Sequence, residues 1–257
     1  GSFAMARYIA KETGKDVSEL PYSVLTSEQL RKEFGQATFF TATDGNHGRG
    51  VAWAANHLGQ KAVVHMPKGT TQTRLQNIAK EGSQVDIQEL NYDDCVRLAA
   101  KEADETPRGV IVQDTAWDGY EEIPAWIMQG YGTMAMEAGE QLKAQGCERP
   151  THIFVQAGVG SLAGAVVGYF SNLYADNLPT FVVVEAEAAA CLYKGAAAGE
   201  SGAAPFGALA AMMTMDEYKD LRNDIGLDEN SKVLLFSTEG DTDPDRYKNI
   251  VWKGLDK

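Results

Sequence analysis

A cluster of polar side chains between glycines stands where the chain passes from a strand-like segment into a helix-like one. The segment is Thr43–Gly50 (TDGNHGRG), and it brings Asp44, Asn46 and His47 together. Glycines let the backbone approach a ligand closely, and a helix N-terminus favours an anion or a polar ring substituent. The segment is interpreted either as a ligand site or as an Asx-turn that caps the helix.

A second glycine-rich turn has the residues that a phosphate site needs. Gln156–Gly164 (QAGVGSLAG) ends a predicted strand, turns at Gly158 and Gly160, and opens a predicted helix. Backbone N–H groups and the positive end of the helix dipole attract an anion at such a turn. No Gly-Lys-Ser/Thr follows, so the turn is not a P-loop. A strand–helix connection that needs only small residues is equally compatible with it.

Two further polar segments also come directly after predicted strands. Ser237–Asp243 (STEGDTD) offers hydroxyls and carboxylates, and Gln113–Trp117 (QDTAW) offers Asp114. Alone, the first fits a solvated acidic turn, and Asp114 fits a helix N-cap as well as a base. Because α/β proteins bind ligands outside the carboxyl ends of their strands, we expect all four clusters to converge on one crevice.

Alternating strand-like and helix-like segments must position these clusters. The predicted strands cover residues 37–42, 61–66, 84–89, 109–113, 151–156, 181–185 and 232–237. The predicted helices cover residues 48–58, 70–80, 92–103 and 124–144, with another starting at about 161. This alternation predicts an α/β fold with parallel sheet and helical crossovers. The low-complexity stretch 195–205 is interpreted either as a flexible loop or as a seam where a segment is absent.

Composition narrows the class of protein. The 257 residues carry 23 Lys and Arg against 36 Asp and Glu, a formal net charge of −13. Such a surface repels nucleic acid and anionic membrane, so neither is an expected partner. The three cysteines and four histidines show no metal-ligand spacing, and no metal is predicted. The sequence shows no apolar run long enough to span a membrane and no signal peptide, so a cytoplasmic protein is the default expectation.

The four clusters, taken in order, resemble those of the fold-type II pyridoxal-phosphate enzymes. Within that class, the run from TDGNHGRG through NYDD, QDTAWDGYEEIPAW and VQAGVGSLAG to STEGDTD is most similar to the diaminopropionate ammonia-lyases. The resemblance covers nearly the whole chain. Its most specific parts are the QDTAW segment and Asp44, because related deaminases usually carry a serine at that position.

The resemblance implies pyridoxal 5'-phosphate as the cofactor and a role for each matching residue. Asn46 would hydrogen-bond the phenolic oxygen of the cofactor, and Thr238 would contact its pyridine nitrogen. The phosphate would lie on four consecutive residues, which are Gly158, Val159, Gly160 and Ser161. A neutral hydroxyl at the pyridine nitrogen leaves the ring a weaker electron sink, which favours β-elimination over transamination.

The implied reaction is α,β-elimination of 2,3-diaminopropionate to pyruvate and ammonia. Asp44 and Asp114 would face the substrate as catalytic residues, because two carboxylates suit a substrate with two ammonium groups and can also move protons. The alternatives are a serine/threonine deaminase-like β-eliminating enzyme and a cofactor-free pseudoenzyme or binding protein. A small amino acid is the expected substrate, and a homodimer is the expected assembly.

The resemblance also implies the domain organisation and two departures from the family pattern. The architecture would be fold-type II: two domains, each with a largely parallel sheet flanked by helices. Residues 36–130 would form a smaller inserted domain, and residues 1–35 with 131–257 a larger one, with the cofactor between them. The Schiff-base lysine of the family is expected just before Gly1, since no lysine of this chain occupies its place. A further segment of the family is expected to be missing near residues 195–201.

Overall fold

A computed structural model describes residues 1–43, 45–185, 200–238 and 240 of the chain. The chain divides into two compact units, Gly1–Gly130 and Tyr131–Lys257, and each is described by itself. The division falls within the longest helix of the described residues, which runs from Glu122 to Ala144. Among the described residues, no helix is long and apolar enough to cross a membrane.

The first unit contains a four-stranded sheet in which every strand pair is parallel. Its strands are β1 (Thr38–Ala42), β2 (Lys61–Met66), β3 (Gln84–Ile87) and β4 (Gly109–Ile111). They lie in the order β3-β2-β1-β4. Since the pairs are parallel, the carboxyl ends of the central strands β1 and β2 and of the edge strand β4 meet along one edge of the sheet.

Helices cover both faces of this sheet. The helices of the first unit are α1 (Ser2–Thr13), α2 (Tyr22–Leu25), α3 (Glu28–Phe34), α4 (Asn46–His57), α5 (Gln72–Ala79) and α6 (Tyr92–Glu105). Helix α6 packs against Phe40 and Ala42 of β1 through Cys95 and Ala99. Helices α4 and α5 pack against Val64 and Met66 of β2. Alternate residues of a strand point to opposite faces, which explains why both faces of these strands are apolar.

The second unit contains a three-stranded parallel sheet in the order β6-β5-β7. Its strands are β5 (His152–Gln156), β6 (Thr180–Val184) and β7 (Val233–Leu235). Helix α7 is the long helix Glu122–Ala144, and it is followed by α8 (Ser161–Leu173), α9 (Glu200–Thr214) and α10 (Lys219–Asp224). Phe170 of α8 lies in the centre of the core, buried against Ile153, Val155 and Phe236.

The predicted α/β architecture with parallel sheets is confirmed, and all seven predicted strands are present. The second half of the stretch 195–205 differs from the loop interpretation, because α9 begins at Glu200 and continues through Pro205. Residues 195–199 lie outside the described residues. Helix α1 contacts α3 and α4 in the first unit. The assignment of residues 1–35 to a domain shared with 131–257 stays a prediction.

A buried histidine joins three elements of the first unit. His65 of β2 is only 2% exposed. Its Nδ1 lies 2.8 Å from Oδ1 of Asp86 on β3, and its Nε2 lies 3.0 Å from Oε2 of Glu102 on α6. Both contacts are hydrogen bonds when both ring nitrogens carry a proton. His65 thereby ties strand β2 to its neighbouring strand and to the covering helix.

Replacing His65 by leucine leaves Asp86 and Glu102 without this partner. We expect His65→Leu to lower the free energy of unfolding by about 1–2 kcal/mol, since both carboxylates are partly solvated. Urea unfolding followed by circular dichroism measures this. His57 is the control, because it is only half-buried and stacks on the exposed ring of Trp53, and His57→Leu should change stability by less than about 0.5 kcal/mol. Equal losses in the two variants would contradict the role of His65.

Candidate active site

The carboxyl edge of the first sheet gathers two of the four polar clusters. Strand β1 leads into Thr43, Gly45 and Asn46, and Asn46 is the first residue of α4. Strand β4 leads into Gln113 and Asp114. Because β1 and β4 are adjacent and parallel, these two loops leave the sheet side by side. Asp44, a predicted catalytic residue, lies outside the described residues.

The pairing of β1 with β4 stops one hydrogen bond early, and two side chains replace the missing bond. The ladder runs as far as the Val112 N–H, which donates to the Phe40 carbonyl at 2.8 Å. The next parallel bond would join the Ala42 N–H to the Val112 carbonyl. Instead, the Ala42 N–H donates to Oε1 of Gln113 at 2.9 Å, and Nε2 of His47 lies 2.8 Å from the Val112 carbonyl.

These two side chains also flank Asp114. Nε2 of Gln113 donates to Oδ1 of Asp114 at 3.1 Å, and Nδ1 of His47 lies 3.7 Å from Oδ2. The Asp114 side chain is 14% exposed and that of His47 is 10% exposed. Burial lowers the pKa of His47, and the nearby Asp114 carboxylate opposes that effect. A neutral His47 that donates from Nε2 presents an unprotonated Nδ1 to Asp114.

A tyrosine that the sequence analysis did not assign fixes the backbone beneath Asp114. The Tyr120 hydroxyl accepts a hydrogen bond from the Gln113 N–H at 2.7 Å and lies 3.1 Å from the carbonyls of Ile111 and Gln113. Burial raises the pKa of Tyr120, so its hydroxyl keeps its proton and can donate. The Trp117 ring stacks on Tyr120 with 4.1 Å between the ring centroids. The tight turn Trp117–Tyr120 is the local feature that could have pointed to it.

The carboxyl edge of the second sheet gathers the other two clusters. Strands β5 and β7 are adjacent and parallel, so the turn Ala157–Ser161 and Thr238 follow neighbouring strands. Nε2 of Gln156, the last residue of β5, donates to Oγ1 of Thr238 at 2.7 Å. This bond places the hydroxyl of Thr238 beside the start of the glycine turn. Of the segment Ser237–Asp243, residues 239 and 241–243 lie outside the described residues.

The glycine turn is open at the point where helix α8 begins. Gly160 takes a left-handed conformation with φ of 94°, and no side chain caps the helix. A Cβ atom built on Gly158 or Gly160 would meet nothing within 4 Å. Val159 is 45% exposed, while Ser161 is buried. The turn therefore presents backbone to open space at the positive end of the helix, which suits a phosphate.

An open parallel sheet whose carboxyl edge carries a turn suited to an anion is typical of α/β enzymes that bind a phosphorylated ligand. The chain belongs to the pyridoxal-phosphate dependent enzyme family, whose model matches residues 20–229. The phosphate of that cofactor fits the open turn at Gly158–Ser161. Oε1 of Gln156, buried beside this turn, has no hydrogen-bond partner among the described residues, so a polar group at this edge would satisfy it.

Three comparisons with known proteins agree with this assignment. The chain is 40% identical to the diaminopropionate ammonia-lyase of Salmonella typhimurium, covering 99% of this chain and 79% of that protein. The crystal structure of Escherichia coli diaminopropionate ammonia-lyase in apo form matches with a TM-score of 0.88 and 38% identity, over 99% of this chain and 77% of that one. A probable D-serine dehydratase of Rhizobium etli is 29% identical, over 70% of this chain and 40% of that protein.

The alignment with the Salmonella enzyme also bears on the length of the chain. It runs over 321 positions, more than the 257 residues present here. Part of the aligned length of that enzyme therefore has no counterpart in this chain. The family resemblance predicts the interruption near residues 195–201, and this position stays a prediction.

The conformation of the glycine turn makes a prediction for the protein without cofactor. Gly160→Ala should lower the free energy of unfolding by about 1–2 kcal/mol, because an L-residue is strained in the left-handed region. Gly158→Ala is the matched control, since it has space for a Cβ and no positive φ, and it should change stability by less than about 0.5 kcal/mol. Thermal or urea unfolding of both variants decides the matter. A Gly160 variant as stable as the Gly158 variant would show that the turn is built differently.

Proposed function

We propose that this chain catalyses the pyridoxal-phosphate-dependent α,β-elimination of 2,3-diaminopropionate to pyruvate and ammonia. The observation that carries the proposal is its 40% identity to a diaminopropionate ammonia-lyase over 99% of the chain. The geometry of both sheet edges supports it. One edge holds a partly buried carboxylate in a fixed orientation, and the other holds an open turn that suits a phosphate.

Three groups of the chain would hold the cofactor. The backbone N–H groups of the turn Gly158–Ser161 would bind its phosphate, helped by the positive end of α8. Asn46, exposed at the start of α4, would hydrogen-bond its phenolic oxygen. Thr238 would meet its pyridine nitrogen. When bound, the cofactor withdraws electrons from the α-carbon of the amino acid, which makes the α-proton removable by a side-chain base.

The hydrogen bond between Gln156 and Thr238 affects how the Thr238 hydroxyl would bind the pyridine nitrogen of the cofactor. Oγ1 of Thr238 accepts from Nε2 of Gln156, so the proton of the hydroxyl is left to be donated. A hydroxyl that donates to the pyridine nitrogen keeps that nitrogen unprotonated. Thr238 would in this way leave the bound ring a moderate electron sink, which would suit prompt β-elimination.

Carboxylates would bind the substrate and carry its protons. The α-proton must be removed. The β-amino group must carry three hydrogens when its bond to carbon breaks, so that it departs as neutral ammonia. Asp114, whose Oδ1 accepts a hydrogen bond from Gln113, would accept and return a proton. Its negative charge also matches an ammonium group of the substrate. Asp44 would act in the same way from the loop after β1.

Elimination from serine is the second candidate function, favoured by the match to a D-serine dehydratase. Two carboxylates argue for an ammonium leaving group over a hydroxyl. The match to the diaminopropionate ammonia-lyase is also higher in identity and covers more of both proteins. Elimination from diaminopropionate is therefore the better-supported function.

The test measures pyruvate released by the holoenzyme from D- and L-diaminopropionate and from D- and L-serine, with wild type and with Asp44→Asn. Wild type should prefer diaminopropionate by roughly 10–100-fold in kcat/KM, since a charge-assisted bond adds about 1.5–3 kcal/mol. Asp44→Asn keeps the shape and removes the base, so its rate should fall by about 10²–10⁴-fold. We expect that fall mainly on the D-isomer, because the Schiff-base lysine expected just before Gly1 would serve the L-isomer from the opposite face of the cofactor.

Three outcomes would count against these assignments. A wild-type enzyme that prefers serine would contradict the proposed substrate. An Asp44→Asn variant that loses activity on both isomers equally would show that Asp44 is a binding group for both of them. If that variant keeps its activity on both isomers, the interpretation of the segment as an Asx-turn that caps the helix is correct.

A further inference from the structure

The side-chain amide of Gln113 is buried and fully hydrogen-bonded. Gln113 has no exposed surface. Its Oε1 accepts from the Ala42 N–H at 2.9 Å and from the Thr41 hydroxyl at 3.0 Å. Its Nε2 donates to the Tyr92 hydroxyl at 2.9 Å and to Oδ1 of Asp114 at 3.1 Å.

The orientation of this amide follows from its partners. A backbone N–H can only donate, so the atom that faces Ala42 must be the amide oxygen. The NH₂ group therefore faces Asp114, and the reverse orientation would set two donors against each other. A carboxylate that receives this N–H on Oδ1 has its rotation about the Cβ–Cγ bond fixed, with Oδ2 on the side of His47.

We propose that Gln113 is a positioning residue for the reaction: it holds Asp114 through the Nε2–H···Oδ1 bond and thereby sets the orientation of that carboxylate. The inference rests on the proposed function, in which Asp114 moves a proton. Gln113 acts through Asp114 and has no assigned contact with substrate or cofactor.

The interrupted strand pairing supports this role over a purely structural one. The Ala42 N–H and the Val112 carbonyl could satisfy each other in the ladder with no side chain involved. Using Gln113 and His47 instead orders two side chains without adding a net backbone bond, which costs conformational entropy. The result of this arrangement is that the side chains of Gln113 and His47 both lie next to Asp114.

The charge of the partner gives a readout that packing alone would not move. An N–H donated to a carboxylate favours its ionised form, whereas a second carboxylate disfavours it. Gln113→Glu keeps the size and the oxygen that faces Ala42 but turns an oxygen toward Asp114. The new carboxyl group and Asp114 would then share one proton, so the pH at which the pair first takes up a proton should rise, and the acidic limb of the kcat/KM profile should move to higher pH.

Gln60 supplies a matched control in the same unit. It is also buried, its Oε1 accepts from the Ala37 N–H at 2.7 Å, and its Nε2 lies 3.2 Å and 3.3 Å from the carbonyls of Gly35 and Leu58. No carboxylate faces this amide in these bonds. Gln60→Met and Gln60→Glu should lower stability but leave the pH profile and kcat/KM on diaminopropionate close to wild type.

The experiment compares Gln113→Met, Gln113→Glu and the two Gln60 variants with wild type. Gln113→Met should lower kcat/KM by roughly 10–100-fold through misplacement of Asp114. Gln113→Glu should show the carboxyl pair taking up its first proton at a higher pH than Asp114 does in wild type, followed by carbon-13 NMR of labelled aspartate and glutamate with Asp114→Asn as the assignment control. The near-isosteric Gln113→Glu keeps the test available if Gln113→Met fails to fold.

The outcomes separate this inference from the proposed function. A Gln113→Glu variant whose carboxyl pair takes up its first proton at the same pH as Asp114 in wild type, or a Gln113→Met variant with wild-type kcat/KM, overturns the positioning role. A wild-type enzyme without diaminopropionate turnover, or an Asp114→Asn variant with full activity, overturns the proposed function or the role of Asp114. The titration of Asp114 does not depend on turnover, so it tests the effect of Gln113 on Asp114 in every case.

Discussion

The hydrogen bond between the Ala42 N–H and Oε1 of Gln113 is the interaction on which the first sheet edge depends. It replaces a backbone bond at the point where β1 and β4 would otherwise continue to pair. The strands therefore separate, and the chain after β4 turns away at Asp114. The Tyr120 hydroxyl fixes the same stretch of backbone by accepting from the Gln113 N–H. The side chain of Gln113 thus replaces a backbone acceptor, and this exchange both ends the strand pairing and orients a partly buried carboxylate.

A buried glutamine also lies at the carboxyl edge of the second sheet. Strands β5 and β7 end side by side, and the bond from Gln156 to Thr238 joins the loops that follow them. The left-handed Gly160 then starts α8 with backbone facing open space. We propose that this edge holds the cofactor phosphate and ring nitrogen, while the first edge supplies proton transfer. Both edges rely on a glutamine at a strand end, and both glutamines are buried.

Much of the fold could be predicted from the sequence, because its β-branched runs alternate with helical patterns. The runs at 61–66 and 151–156 are almost wholly buried strands, as their composition indicates. The predictions for β4 and β7 were too long, since hydrophobicity continues past the last backbone pair. Helix α9 was missed because its alanines, glycines and Pro205 resemble a loop. The roles of Gln113 and Tyr120 were missed because they depend on a strand pairing that residue spacing does not reveal.

The central claim is that the chain eliminates the β-amino group of 2,3-diaminopropionate. The most direct measurement is the ratio of ammonia to pyruvate released by the holoenzyme from that substrate. Loss of the β-amino group and hydrolytic loss of the α-amino group give two ammonia molecules for each pyruvate, and the account predicts this ratio. Release of pyruvate and one ammonia from serine, with no pyruvate formed from diaminopropionate, would contradict it.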